Sequence, residues 1–255
     1  MKVDKHEDGF TSWMDLASDD VESSVDFYCG LFGWEALEGS PETGGYRQCL
    51  KDGEPVAGLG SKMAPGQPTV WTIYVQSSDI DATVARAVEL GGTKVAGPMD
   101  AMEFGRLAVV ADPVGAAIGL WQPNEMMGMR RKDEHGSWAW SELMTSDLDS
   151  SETFYTKLFG WSTAEHAAGN PAYREMKMGE SFVAGLMART ETMPADVPNY
   201  WCVYFTVDSI DDAVGYLNEH GAKIVIGPAA IEPGQFLQFI DPQGAVVGLL
   251  EPKRP

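Results

Sequence analysis

Short apolar runs bounded by turn residues recur along the chain, and helical spacing appears between them at regular intervals. Residues 13–16 (WMDL) read as a strand. Val21, Val25, Tyr28, Leu31 and Phe32 then fall at helical spacing, with Asp19 and Asp20 placed to cap the start and Gly33 to end it. Strand-like runs follow at 34–37, 46–50 and 56–60. The order then begins again. Residues 71–76 form a strand rich in β-branched and aromatic residues. Residues 80–90 form a helix with Ile80, Val84 and Val88 on one face, closed by Gly91 and Gly92. Further strands at 94–96, 106–111 and 116–121 flank a turn at Asp112-Pro113-Val114-Gly115, where Pro presets φ and Gly accepts a positive one. Each half therefore reads β-α-β-β-β.

The pattern is itself repeated. FYCGLFGW at 27–34 returns as FYTKLFGW at 154–161. At the same offset Trp13 matches Trp140, Tyr46-Arg47 matches Tyr173-Arg174, and the VAGL run from Val56 matches the one from Val183. After a small shift in register Trp71 matches Trp201, Asp112-Pro113 matches Asp241-Pro242, and Gly119 matches Gly248. Such internal similarity defines the architecture. It predicts two homologous α+β domains, 8–124 and 135–253, joined by a polar, basic linker at 125–134. The linker's Met126-Met127-Gly128-Met129 reads as a flexible stretch over the surface, with a partner-binding segment as the alternative.

Composition narrows the classes. The 255 residues are 44% hydrophobic and 22% charged, which suits a globular core. No apolar run approaches the ~20 residues that cross a bilayer. The charged N-terminus lacks the apolar region of a secretory signal. A net charge of −20 opposes nucleic acid and anionic membrane as partners. Cys29, Cys49 and Cys202 are too scattered for a disulfide framework and form no CxxC, so a reduced, cytoplasmic setting is expected. Nucleotide-binding, Walker, GxSxG and HExxH motifs are absent from the sequence.

The doubled FYxxLFGW helix end, the DPxG turn before a final strand, and the helix starts at Ser78-Asp79-Ile80-Asp81 and 208–213 together resemble the vicinal oxygen chelate superfamily. It includes glyoxalase I, extradiol dioxygenases, and fosfomycin- and bleomycin-resistance proteins. The likeness covers nearly the whole chain and is strongest to two-domain actinobacterial members labelled glyoxalase-like or hydroxylase-like, a mycobacterial antigen among them. It implies tandem domains, each of two paired βαβββ units whose mixed sheet curls into a cup. It also implies a divalent metal held by His, Gln or Glu on three strands. Here those positions carry Trp13, Thr72 and Gly119 in one domain and Trp140, Cys202 and Gly248 in the other. Indole and glycine offer no side-chain ligand. His6, His135, His166 and His220 lie in the tail, the linker, a loop and a helix end, and supply no substitute. No metal site and no cofactor are expected.

Alternation along strands puts Asp15 on the face of Trp13, Glu142 with Trp140, Tyr74 with Thr72, Tyr204 with Cys202, and Trp121 with Gly119. Gly119 and Gly248 are expected to leave room for a ligand. The leading expectation is a small organic molecule bound in a metal-free aromatic cup. The first alternative is a metal-independent lyase, isomerase or hydroxylase-like enzyme, with Asp15 or Glu142 as general base and Tyr74 or Tyr204 as oxyanion donor. The second is an interaction protein with vestigial cups, its carboxylates bonded locally or paired with Arg47 and Arg174. A fused repeat supplies its own pairing, so a monomer or weak dimer is expected.

Overall fold

The computed structural model describes residues 1–164, 172–190, 193 and 197–253, and the repeat becomes two eight-stranded mixed sheets among them. The first unit runs β1 (Thr11–Ser18), α1 (Val21–Phe32), β2 (Glu35–Ala36), β3 (Arg47–Lys51) and β4 (Glu54–Ser61). The second runs β5 (Val70–Gln76), α2 (Ile80–Glu89), β6 (Thr93–Ala101), β7 (Gly105–Ala111) and β8 (Ala117–Pro123). The order in space is β2-β3-β4-β1-β5-β8-β7-β6, so the units join edge to edge through antiparallel β1 and β5.

The second domain repeats this with β9 (Trp138–Thr145), α3 (Leu148–Phe159), β10 (Ser162–Thr163), β11 (Tyr173–Met178) and β12 (Ser181–Ala188). It continues with β13 (Tyr200–Thr206), α4 (Ile210–Glu219), β14 (Lys223–Ile231), β15 (Gly234–Ile240) and β16 (Val246–Pro252), in the equivalent order. His166 lies outside the described residues. No helix among the described residues is long and apolar enough to cross a membrane.

Local chemistry sets the helix ends. Asp20 and Asp147 each accept the backbone N–H three residues on. Gly33 (φ 65°) and Gly160 (φ 74°) close α1 and α3 in the left-handed region, where a side chain would be strained. On α2 the buried stripe is Ile80, Val84 and Ala87, whereas Val88 is 51% exposed. At 3.6 residues per turn, i+7 returns to the starting face more closely than i+8.

Both helical faces feed one continuous core. Phe205 of β13 packs 4.9 Å from Phe32 and 5.1 Å from Trp71 of the other domain, centroid to centroid. The closing tryptophan of each FYxxLFGW copy also crosses over. Trp34 donates to the Gly136 carbonyl at 2.6 Å, and Trp161 to the Gly9 carbonyl at 2.8 Å.

The segment between the sheets is not a loose tether. Met129 is buried, its N–H bonds the Ser12 carbonyl at 2.8 Å, and Arg130 N–H bonds the Pro55 carbonyl at 2.7 Å. The chain start lies against it: Val3 N–H bonds the Arg130 carbonyl, and His6 Nε2 meets the Met129 carbonyl at 2.9 Å. A buried backbone stretch must satisfy its polar groups, and these bonds do so.

Candidate functional site

Trp13 and Asp15 occupy the cup face of β1, opposite Tyr74 and Thr72 of β5. Asp15 accepts from the Tyr74 hydroxyl at 3.2 Å and the Tyr46 hydroxyl at 3.4 Å, and Tyr46 in turn accepts the Trp13 indole N–H at 2.9 Å. Each tyrosine lies over a glycine. A Cβ on Gly58 would stand 1.7 Å from the Tyr46 oxygen, and one on Gly119 would stand 2.4 Å from the Tyr74 ring. Only glycine admits these approaches. Burial pushes the Asp15 carboxyl up to about 7, against the pull of the two phenol hydrogen bonds.

A methionine spans this first cup. Trp121 of β8 donates to the Met126 carbonyl at 3.0 Å, and the Gln48 amide of β3 meets the Met126 sulfur at 3.8 Å. Those strands are four places apart in the sheet, which would put them about 19 Å apart if it were flat. One residue reaches both because the sheet curls, and Met126 thereby lies across the cup.

The second cup repeats the core of this arrangement and extends it. Glu142 accepts the Tyr204 hydroxyl at 2.9 Å and also bonds Tyr173, while Trp140 donates to the Tyr173 oxygen at 3.1 Å. Tyr173 lies over Gly185 as Tyr46 does over Gly58, and Tyr204 lies over Gly248. Burial lifts the Glu142 carboxyl to about 7, with the Tyr204 and Tyr173 bonds opposing it. Gln238 donates to the Tyr204 oxygen at 2.6 Å and accepts from Tyr200 at 3.2 Å. The equivalent positions in the first domain are Val109 and Val70. The second cup thus carries a polar chain, Tyr200 to Gln238 to Tyr204 to Glu142, that the first lacks.

The structure brings Trp13, Asp15, Thr72, Tyr74, Gly119 and Trp121 onto one cup face, and Trp140, Glu142, Cys202, Tyr204 and Gly248 onto the other. The room expected above Gly119 and Gly248 is filled by the Tyr74 and Tyr204 rings. Arg47 and Arg174 do not serve the cup carboxylates in the bonds seen: Arg47 pairs with Glu22, and Arg174 with Asp149 and Glu152, on the helix side. Their neighbours Tyr46 and Tyr173 take that role. Both recur in the repeat, and the signal for them was a glycine inside β4 and another inside β12.

The donor set does not fit the family's metal. Trp13, Thr72 and Gly119 offer one hydroxyl, and the Cys202 thiol of the other set is held protonated by burial. A ligating side chain at either glycine would strike a tyrosine ring. No group of three His, Cys, Asp or Glu residues gathers among the described residues. What each cup does present is a carboxyl poised near neutrality, phenol donors and indole walls.

Comparison with known proteins matches the sequence to a family. The model of the Glyoxalase/Bleomycin resistance protein/Dioxygenase superfamily matches residues 11–120 and 138–249. The putative glyoxylase CFP32 of Mycobacterium tuberculosis is 36% identical, with 98% of each chain covered. Anthracycline biosynthesis protein DnrV of Streptomyces peucetius is 33% identical over 95% of this chain and 93% of its own. Among solved structures, the Mn(II)-bound glyoxalase from Novosphingobium aromaticivorans superposes with a TM-score of 0.66 at 17% identity, covering 95% of this chain and 82% of that one. That likeness is one of fold.

Proposed function

The chain belongs to the Glyoxalase/Bleomycin resistance protein/Dioxygenase superfamily, and on that premise we propose that it binds a small organic metabolite in a metal-free aromatic cup, seated in the second domain. The observation that carries this reading is the chain from Tyr200 through Gln238 and Tyr204 to Glu142, flanked by Trp140 and Tyr173. It offers donors and acceptors at fixed places among aromatic walls, which is what orients a planar, hydroxylated ligand. The first cup is spanned by Met126 and lacks the Gln238 and Tyr200 equivalents, so it is the weaker seat. A relative named for anthracycline biosynthesis supports a polycyclic, oxygenated ligand. Three free thiols support a reducing, cytoplasmic setting.

Native mass spectrometry of the full chain with an anthracycline probe, followed by fluorescence titration, tests this. One bound equivalent, lost in Glu142→Ala and kept in Asp15→Ala, is expected. Loss in Asp15→Ala alone, or no binding, overturns it.

The carboxyl held at about 7 favours one second reading, a metal-independent lyase, isomerase or hydroxylase-like enzyme. Glu142 would then take the proton and Tyr204 would face the developing oxyanion. A bound probe recovered with altered mass marks that reading, and one recovered unchanged marks sequestration. The ring-filled space above Gly119 and Gly248 is what favours vestigial cups instead.

A further inference from the structure

The first cup keeps its polar set and is crossed by its own chain. Trp13 bonds Tyr46 and Tyr74 bonds Asp15, just as Trp140 bonds Tyr173 and Tyr204 bonds Glu142. Residues 124–129 run over its rim as a strap. One end is held at the β6–β7 turn, where the N–H groups of Asn124 and Met126 both bond the Phe104 carbonyl at 3.0 Å. The other end is held at β1. Met129 N–H bonds the Ser12 carbonyl, and Gly128 (φ 110°) lies so close that a Cβ would stand 2.2 Å from the same oxygen. Between these anchors Met126 takes the Trp121 indole N–H on its carbonyl and the Gln48 amide on its sulfur.

Both holding side chains are private to this copy. Their counterparts in the second domain are Leu250 and Glu175, which carry no indole or amide donor. The hold is also weak. A thioether sulfur is a poor acceptor, so the 3.8 Å contact with Gln48 contributes little. Met126 is half-buried and Met127 beside it is exposed, so lifting the strap uncovers little apolar surface. Next to Trp121 across the β5–β8 ladder, on the face of β5 that carries Tyr74, stands Gln76. Its amide N–H bonds the His6 carbonyl at 2.6 Å, and its Oε1 is buried with no partner among the described residues. A ligand carbonyl would serve Trp121 as well as Met126 does and Gln48 better, and a ligand hydroxyl would satisfy Gln76.

On the reading of the cups as ligand seats, we propose that residues 124–129 are an autoinhibitory strap. Met126 occupies the first cup in place of ligand, and lifting it opens a second seat for a planar molecule with two acceptor oxygens and a hydroxyl.

The test counts the equivalents of the anthracycline probe bound by the full chain in native mass spectrometry. Met126→Ala removes the plug and keeps the backbone anchors. Gly128→Val unseats the strap away from the cup contacts, because a β-branched residue neither adopts that φ nor fits against Ser12. Each variant is expected to bind one equivalent more than wild type at the same probe concentration. The added equivalent should vanish when Asp15→Ala is combined with Met126→Ala, and survive when Glu142→Ala is combined instead. Met126→Ala decides alone if Gly128→Val does not fold. No added equivalent in Met126→Ala, or one lost with Glu142→Ala and kept with Asp15→Ala, overturns the proposal. A wild type that binds nothing while Met126→Ala binds one equivalent keeps the strap and overturns the seat in the second domain, so the two readings fail separately.

Discussion

The Tyr28 hydroxyl of the first domain donates to Asp241 Oδ2 of the second at 2.7 Å, fully buried, and itself accepts the Trp71 indole N–H at 2.9 Å. Asp241 is the aspartate of the DPxG turn, and its other oxygen accepts the N–H groups of Gln243 and Ala245. The other copy keeps half of this arrangement: Trp201 donates to Tyr155 at 2.9 Å, while Asp112 of the opposite turn accepts from the Ser151 hydroxyl at 3.0 Å. The two repeated motifs are therefore two ends of one clasp across the domain boundary, closed by Tyr28 and Asp241.

Removing the hydroxyl should loosen that clasp. Tyr28→Phe leaves a buried carboxylate short of a donor and a buried indole short of an acceptor. The expected cost is about 2–3 kcal/mol, since bonds to charged groups are worth more than neutral ones. Urea denaturation reads this directly. A midpoint unchanged from wild type would mean that the bond carries no net stability.

Much of this was legible in the chain, and the limits have physical causes. Capping at Asp20 and Asp147 and the left-handed Gly33 and Gly160 are local, so spacing revealed them. The partner of Tyr28 lies 213 positions away, and no periodicity reports it. Tyr46 and Tyr173 were visible as repeats. Their role became plain only with Gly58 and Gly185, because a glycine in a strand marks a close approach and not what approaches. Gln238 and Tyr200 have Val109 and Val70 as counterparts, so laying one copy over the other could not flag them. The linker's polar letters suggested a surface strand of chain, whereas Met129 is buried and its N–H bonds the Ser12 carbonyl, a long-range contact that no local pattern reports.

Two glycines with opposite surroundings give a paired prediction. A Cβ on Gly248 would meet the Tyr204 ring at 2.2 Å, whereas Gly215, exposed on α4, has nothing within 4 Å. Gly248→Ala should destabilise by about 1–3 kcal/mol through overpacking. Gly215→Ala should stabilise by up to about 1 kcal/mol through helix propensity. Thermal melts of the two variants against wild type should move in opposite directions, and a shared direction would contradict the ring-over-glycine geometry.

The cup carboxyls should leave a signature in stability against pH. Glu142 sits at about 7 in the folded chain, against an unfolded value of 4.5. Between those two pH values the folded state holds a proton that the unfolded state has lost, so stability falls as pH rises through the window and is level above it. Glu142→Gln cannot ionise and lacks this fall. The gap in unfolding free energy between variant and wild type should therefore widen in favour of the variant from pH 4.5 to 7.5, by about 2 kcal/mol once partial solvent contact is allowed for. Equal slopes in urea titrations across that range would show that Glu142 titrates as an ordinary carboxylate.

The difference between the cups gives the last prediction. Gln238 orients the Tyr204 hydroxyl from one side while Glu142 accepts it from the other, so the phenol has a fixed direction in the second cup. Tyr74, its counterpart, bonds Asp15 with a valine where Gln238 would be. Replacing Gln238 by Val frees the Tyr204 hydroxyl to turn and leaves the Tyr200 hydroxyl without its acceptor. If the second cup seats the ligand, Gln238→Val should weaken binding about tenfold to a hundredfold, the worth of one buried hydrogen bond and its orientation. Tyr74→Phe in the first cup should leave affinity within about twofold, because Met126 already lies across that mouth. Calorimetric titration of both variants with the same probe separates the cases. A loss confined to Tyr74→Phe would move the seat to the first domain, and equal losses would make both cups partners in one binding event.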